Sequence, residues 1–114
     1  MAANNLKVDI RQVSDGVRVI DISGEVTAAC EDQITNAHAK AGAGAEAVIL
    51  NFEGLDYMNS GGIGLLVTTL IRAQRAGHDL RAYGLSDHYR QIFSLTRLDE
   101  AISLYDDEEA AVAG

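Results

Sequence analysis

Leu6, Val8 and Ile10 alternate with Lys7, Asp9 and Arg11, a period of two that predicts a half-buried strand. Ser14-Asp15-Gly16 is a turn signal and Val17-Arg-Val-Ile-Asp-Ile22 resumes the alternation, so the chain is expected to open with a hairpin. Ser23-Gly24-Glu25-Val26 is expected to leave the strand. Thr27 is then read as the cap of a helix from Ala28 to Ala41, in which Cys30, Ile34, Ala37 and Ala41 keep helical spacing and which Gly42-Ala43-Gly44 ends. Ala47-Val-Ile-Leu-Asn-Phe52 is nearly unbroken apolar sequence, suited to a central strand buried on both faces.

After a glycine-rich turn, Met58-Asn59-Ser60-Gly61-Gly62, the apolar residues Ile63, Leu66, Val67, Leu70 and Ile71 form a helical stripe that closes near Gly77. Ile63, Leu66, Val67 and Leu70 are assigned to the core rather than to contact. Leu80-Arg-Ala-Tyr-Gly-Leu85 predicts a strand and Ser86 caps a short helix from Asp87 to Ser94. Leu98, Ile102, Leu104 and Tyr105 predict a last short strand. Asp106-Asp107-Glu108-Glu109 opens a terminal helix through Ala113, its carboxylates complementing the helix dipole. The order β-β-α-β-α-β-α-β-α predicts one α/β domain over residues 1–114: a mixed, mostly parallel sheet with an N-terminal hairpin and about four helices. In such sheets ligands and partners engage the carboxyl ends of strands, where the Met58 to Gly62 turn lies.

Charge narrows the partners. Nine basic against seventeen acidic residues give a net charge of −8, which disfavours nucleic acid, whose binding needs Lys and Arg to neutralise phosphates. An acidic surface aids solubility and steers basic protein partners. A single cysteine, Cys30, excludes an internal disulfide or a multi-cysteine zinc site. Met1-Ala-Ala-Asn-Asn5 lacks the basic and apolar segments of a secretory signal, and no apolar run approaches the ~20 residues of a membrane span. The chain is expected in the cytoplasm, without membrane insertion.

The turn carries the candidate chemistry. Asn59 and Ser60 are both favoured N-cap types, and Gly61 and Gly62 leave the first helical amides uncovered, an arrangement suited to anions. A P-loop would need a lysine after its glycines, whereas Leu65 follows Gly61-Gly62-Ile63-Gly64. Gly-x-Gly-x-x-Gly is absent at this junction, and Met58 stands where a hydrolase's Gly-x-Ser-x-Gly needs glycine. His38, His78 and His88 lack metal-ligand spacing and are read as surface or supporting residues. Binding without turnover or cofactor fits better than enzymatic activity.

With elements and turn in place, the chain resembles the STAS domains of bacterial anti-sigma factor antagonists. The resemblance rests on Ile22-Ser-Gly-Glu-Val26, on Val48 through Leu66, and on Leu85-Ser-Asp-His-Tyr-Arg-Gln-Ile-Phe93 followed by Leu95-Thr-Arg-Leu98. It implies a non-enzymatic regulator of transcription by partner switching, one that binds an anti-sigma factor or serine kinase-like protein, with a PP2C-type phosphatase as a further partner. It also implies inactivation by phosphorylation at this helix start. The family turn usually reads Asp-Ser-Ser-Gly or Asp-Thr-Ser-Gly; here it is Asn59-Ser60-Gly61-Gly62, so Gly61 replaces the usual acceptor, Asn59 a common aspartate and Thr27 a common acid.

Three readings follow: phosphorylation at Ser60, a permanently unphosphorylated antagonist or scaffold, or helix amides open to an anionic ligand. Glu25, Thr27, Tyr57, Met58, Asn59, Ser60, Gly61 and Gly62, with the exposed face of the following helix, are the candidate contact residues. The same fold also resembles soluble STAS subunits of lipid-transport or anion-transport complexes.

Overall fold

Val48, Leu50 and Phe52 on one side of a strand, and Ala47 and Ile49 on the other, are all buried, so this strand must be covered on both faces. In a computed structural model describing residues 5–114 it is β3, Ala47–Met58. The start of the segment read as lacking a secretory signal, residues 1–4, lies outside the described residues.

β1 (Leu6–Ser14) and β2 (Val17–Val26) form the expected antiparallel hairpin. β4 (Asp79–Tyr83) and β5 (Ser103–Tyr105) complete a five-stranded sheet in the order β1-β2-β3-β4-β5, parallel from β2 onward. Helices α1 (Glu31–Gly42), α2 (Ser60–Ala76) and α3 (Asp87–Leu95) cover one face. Their Ile34, Ala37, Leu65, Leu66, Ala73 and Phe93 join Ile20, Ile22, Val48, Leu50 and Phe52 in the main core. α4 (Glu108–Ala113) covers the other face, packing Ala111 against Val17, Val19, Ile49 and Tyr83.

Several local expectations hold for local reasons. α2 stops at Gly77, whose left-handed backbone (φ 81°) lets its amide turn back to the carbonyls of Ala73 and Gln74. Ser86 caps α3 by accepting the Tyr89 amide, and Asp107 caps α4 by accepting the Ala110 amide. A polar network pins α4: Arg11 bridges Asp21 and Glu108 at 2.6 Å each, Asn51 donates to Asp21 and the Tyr83 hydroxyl donates to Glu108. The Arg11 hydrogen bond holds Asp21 below its usual range; Arg11 and then Tyr83 do the same for Glu108, while burial and Glu108 push the Tyr83 hydroxyl up.

The long elements depart from the pattern. β2 does not end at Ile22 but continues to Val26, and β3 runs on from Phe52 to Met58. Beyond the reach of β4, which pairs only as far as Asn51, the two form a parallel ribbon with Ser23 opposite Gly54 and Val26 opposite Met58. Gly24, at φ 103°, carries one irregularity of this ribbon where a side chain would strike the Asn5 carbonyl. Ala28–Cys30 is a 3-10 turn, and α1 begins only at Glu31; Thr27 precedes that turn without capping it through its side chain. Leu98 lies in a second 3-10 turn, not in β5.

Candidate functional site

The ribbon delivers the turn. Glu25 pairs with Tyr57 and Val26 with Met58, and the Asn59 amide donates to the Val26 carbonyl at 3.3 Å. The Met58 amide donates to the Tyr89 hydroxyl of α3 at 2.8 Å. Asn59, in extended conformation, is the N-cap of α2 and accepts the Gly62 amide through Oδ1 at 3.0 Å. Ser60 is therefore the first helical residue rather than a cap, its side chain exposed. The amides of Ser60 and Gly61 find no acceptor among the described residues.

Close approach explains the glycines. A Cβ at Gly62 would meet the Val26 carbonyl oxygen, so the helix can pass over the end of β2 only without a side chain there. A Cβ at Gly61 would stand 3.0 Å from Ala28 Cβ and 3.1 Å from Ala28 N, which places the turn after Thr27 directly beside the start of α2. Thr27, Asn59 and Ser60 are thus neighbours in space. The Cys30 thiol is buried, donating to the Glu25 carbonyl at 3.3 Å, and holds that turn from beneath.

The eight candidate residues converge, with different duties. Tyr57, 50% exposed, and Ser60 face solvent, while Glu25, Thr27, Asn59 and Gly61 are half-buried. Met58 and Gly62 are buried, so both support the turn and neither offers a partner a surface. α2 is phased differently from the expectation: Gly62, Leu65, Leu66, Thr69 and Ala73 face the core, and Val67 and Ile71 are exposed at 39% and 42%. Val67 is therefore not core. Ser60, Gly64, Val67 and Ile71, spaced four, three and four residues apart, lie along one outward stripe of the helix.

Two of the histidines also differ from expectation, while His88 is exposed as expected. His38 on α1 and His78 after α2 are buried at 5% and 7% exposure and meet Nε2 to Nε2 at 2.9 Å beside a cavity of about 300 Å³ lined also by Arg72. Burial lowers the pKa of both; His78 and Arg72 lower His38 further, while Asp79 partly offsets the effect on His78. Among the described residues no group of three or more His, Cys, Asp or Glu is placed to hold a metal ion. No helix among them is long and apolar enough to cross a membrane.

The STAS domain family model matches residues 10–111. The chain belongs to the STAS domain family. Among solved STAS-like structures, the anti-sigma factor antagonist from Mycobacterium paratuberculosis superposes with a TM-score of 0.71 at 24% identity, covering 98% of this chain and 95% of that one. The anti-sigma factor antagonist SpoIIAA of Bacillus, in its unphosphorylated form, gives 0.72 at 21% identity, covering 94% of each chain. A sulfate transporter family protein from Wolinella succinogenes gives 0.78 at 19% identity, covering 90% of this chain and 87% of that one. At these identities the likeness establishes a shared STAS fold.

Proposed function

We propose that this STAS domain is a protein-binding regulator of the anti-sigma factor antagonist type, acting in the cytoplasm without turning over a substrate. It docks an anti-sigma factor or serine kinase-like protein on the β3–α2 junction, with a PP2C-type phosphatase as a further partner. The observation that carries this reading is the exposed Ser60 at the first position of α2, beside exposed Tyr57 and in line with Val67 and Ile71. An aromatic ring and an apolar stripe bordering a polar, amide-rich centre suit a protein partner better than a small substrate. Phosphate on Ser60 would add a charge of about −1.5 to −2 in the middle of that surface, favourable to the helix dipole but costly beneath a partner that does not pair it.

The departures from the family turn fit the same surface. Gly61 lies against Ala28, so a hydroxyl-bearing side chain there would press on the neighbouring turn. Ser60, one residue earlier, is exposed. Incubation with the cognate kinase-like protein and ATP, followed by mass spectrometry, separates the two regulatory modes. Phosphate on Ser60 makes the junction a switch. A stable complex without phosphate makes it a constitutive dock, and absence of any complex contradicts the proposal.

The transporter-family neighbour supports one alternative partner, a transport ATPase served by a soluble STAS subunit. Co-purification with such an ATPase rather than with a kinase-like protein would select it. An anionic ligand at the helix start is less favoured, because the Asn59 side chain already occupies the Gly62 amide and leaves those of Ser60 and Gly61. Heat on calorimetric titration with phosphate would revive that reading.

A further inference from the structure

β1 is an edge strand of nine residues that, among the described residues, pairs with β2 alone. Edge strands of this length are templates for a further strand unless charge, proline or a covering element protects them. Here the chain contains no proline, Ile10, in mid-strand, is 38% exposed, and the charges on the strand, Lys7, Asp9 and Arg11, are of both signs. Beside it, Val8, Asp9, Ile10, Gln33, Asn36, Ala37 and Lys40 line a groove of about 350 Å³ between the strand and α1. Gln33 donates to the Leu6 carbonyl at 3.2 Å, yet its Oε1 is buried with no partner among the described residues.

We propose that this edge pairs with β1 of a second copy of the chain, antiparallel about a two-fold axis at Ile10. The charge pattern of the strand selects both occupant and register. A two-fold perpendicular to the sheet sets residues of like parity opposite one another. Centred on Asp9, it would place Asp9 against Asp9 and Lys7 against Arg11; centred on Arg11, it would place two guanidiniums together. Centred on Ile10, it sets Asp9 opposite Arg11 twice, Lys7 opposite Val13 and Val8 opposite Gln12, with no like-charged pair. This register overlaps the regular span Val8–Gln12 with the same span of the second copy, clear of the irregularity between Gln12 and Ser14.

Charge allows self-association here although the whole chain carries −8: Lys7 lies 4.0 Å from Asp9 on its own strand, and Arg11, which already bonds Asp21 and Glu108, would add Asp9 of the second copy. The pairing covers Ile10 with its own counterpart and brings the second groove, with its donors Asn36 and Lys40, toward the first. Ile10 stands in one row with Ile20 and Leu50, well back from Met58, so the dimer leaves the β3–α2 junction open. The inference stands independently of the proposed partner.

Sedimentation equilibrium of the whole chain, with Ile10→Lys and an oxidative cross-linking pair, tests it. At tens of micromolar the wild type is expected at twice the 12.1 kDa chain mass, and folded Ile10→Lys at the single mass. Ile10→Cys, on the axis, should form an intermolecular disulfide at least tenfold faster than Leu95→Cys, which is 78% exposed but remote. A wild type that stays at 12.1 kDa up to millimolar concentration overturns the inference. So does a dimer that Ile10→Lys leaves intact, or equal cross-linking rates for the two cysteine variants.

Discussion

The Tyr89 hydroxyl accepts the Met58 amide at 2.8 Å, both groups buried, and so ties the end of β3 to α3. Met58 is the last residue before the α2 cap, so this bond, with the Asn59 amide on Val26 and the Asn59 cap on Gly62, sets where the helix starts and where Ser60 faces. Tyr89→Phe leaves the buried amide without an acceptor, which costs about 1–3 kcal/mol. Urea denaturation should show that loss, and amide hydrogen exchange at Met58 and Asn59 should quicken.

Asn59 supplies the cap and Ser60 does not. Asn59→Ala should therefore destabilise the domain by ~1 kcal/mol, and Asn59→Asp should retain the cap and gain from the helix dipole. Ser60→Ala, with no cap to lose, should fall within about 0.5 kcal/mol of wild type. Thermal denaturation of the three variants checks the order.

The buried histidine pair makes stability depend on pH. Both pKa values are lowered in the fold by burial, so above the unfolded value near 6.5 both states hold these rings neutral and the contribution is complete. As pH falls below it, the unfolded chain takes up protons that the fold resists, and each such ring costs up to about 1.4 kcal/mol per pH unit until its folded pKa is passed. The Nε2 to Nε2 hydrogen bond survives a first proton on the donor ring, while a second proton must break it. Urea midpoints should hold between pH 7.5 and about 6.5 and fall from there to pH 5, and the slope of the fall should flatten in His38→Gln.

The terminal helix hangs on Arg11, Tyr83 and Glu108. Glu108→Gln weakens these partly exposed bonds and should cost about 1 kcal/mol or less. The loss should appear chiefly as faster hydrogen exchange in α4, with the α2 junction unchanged.

How far the chain could be read from its residues followed the range of the interactions. The β1–β2 hairpin, the stop at Gly77 and the start of α3 at Ser86 depend on neighbours in sequence, and all three are legible there. The ribbon is not, because Glu53-Gly54-Leu55-Asp56-Tyr57 resembles a loop and becomes strand only by pairing with Ser23 to Val26 across the fold. Asn59 and Ser60 are equally good caps by type, and only the backbone decides between them. The phase of α2 was ambiguous because apolar residues occur on more than one side. The His38–His78 contact joins positions 40 residues apart and has no local signature. For the site, the convergence of Glu25 and Thr27 on the turn could be read from the motif, whereas the burial of Met58 and Gly62 could not.

The affinity of the cognate anti-sigma factor or kinase-like protein for wild type and Ser60→Asp, measured by calorimetry, tests the docking surface most directly. A carboxylate at the first position of α2 suits the helix dipole, so the variant should fold as well as the wild type, yet bind at least tenfold more weakly. Undiminished affinity in the folded variant would contradict the assignment of the β3–α2 junction as the partner's contact.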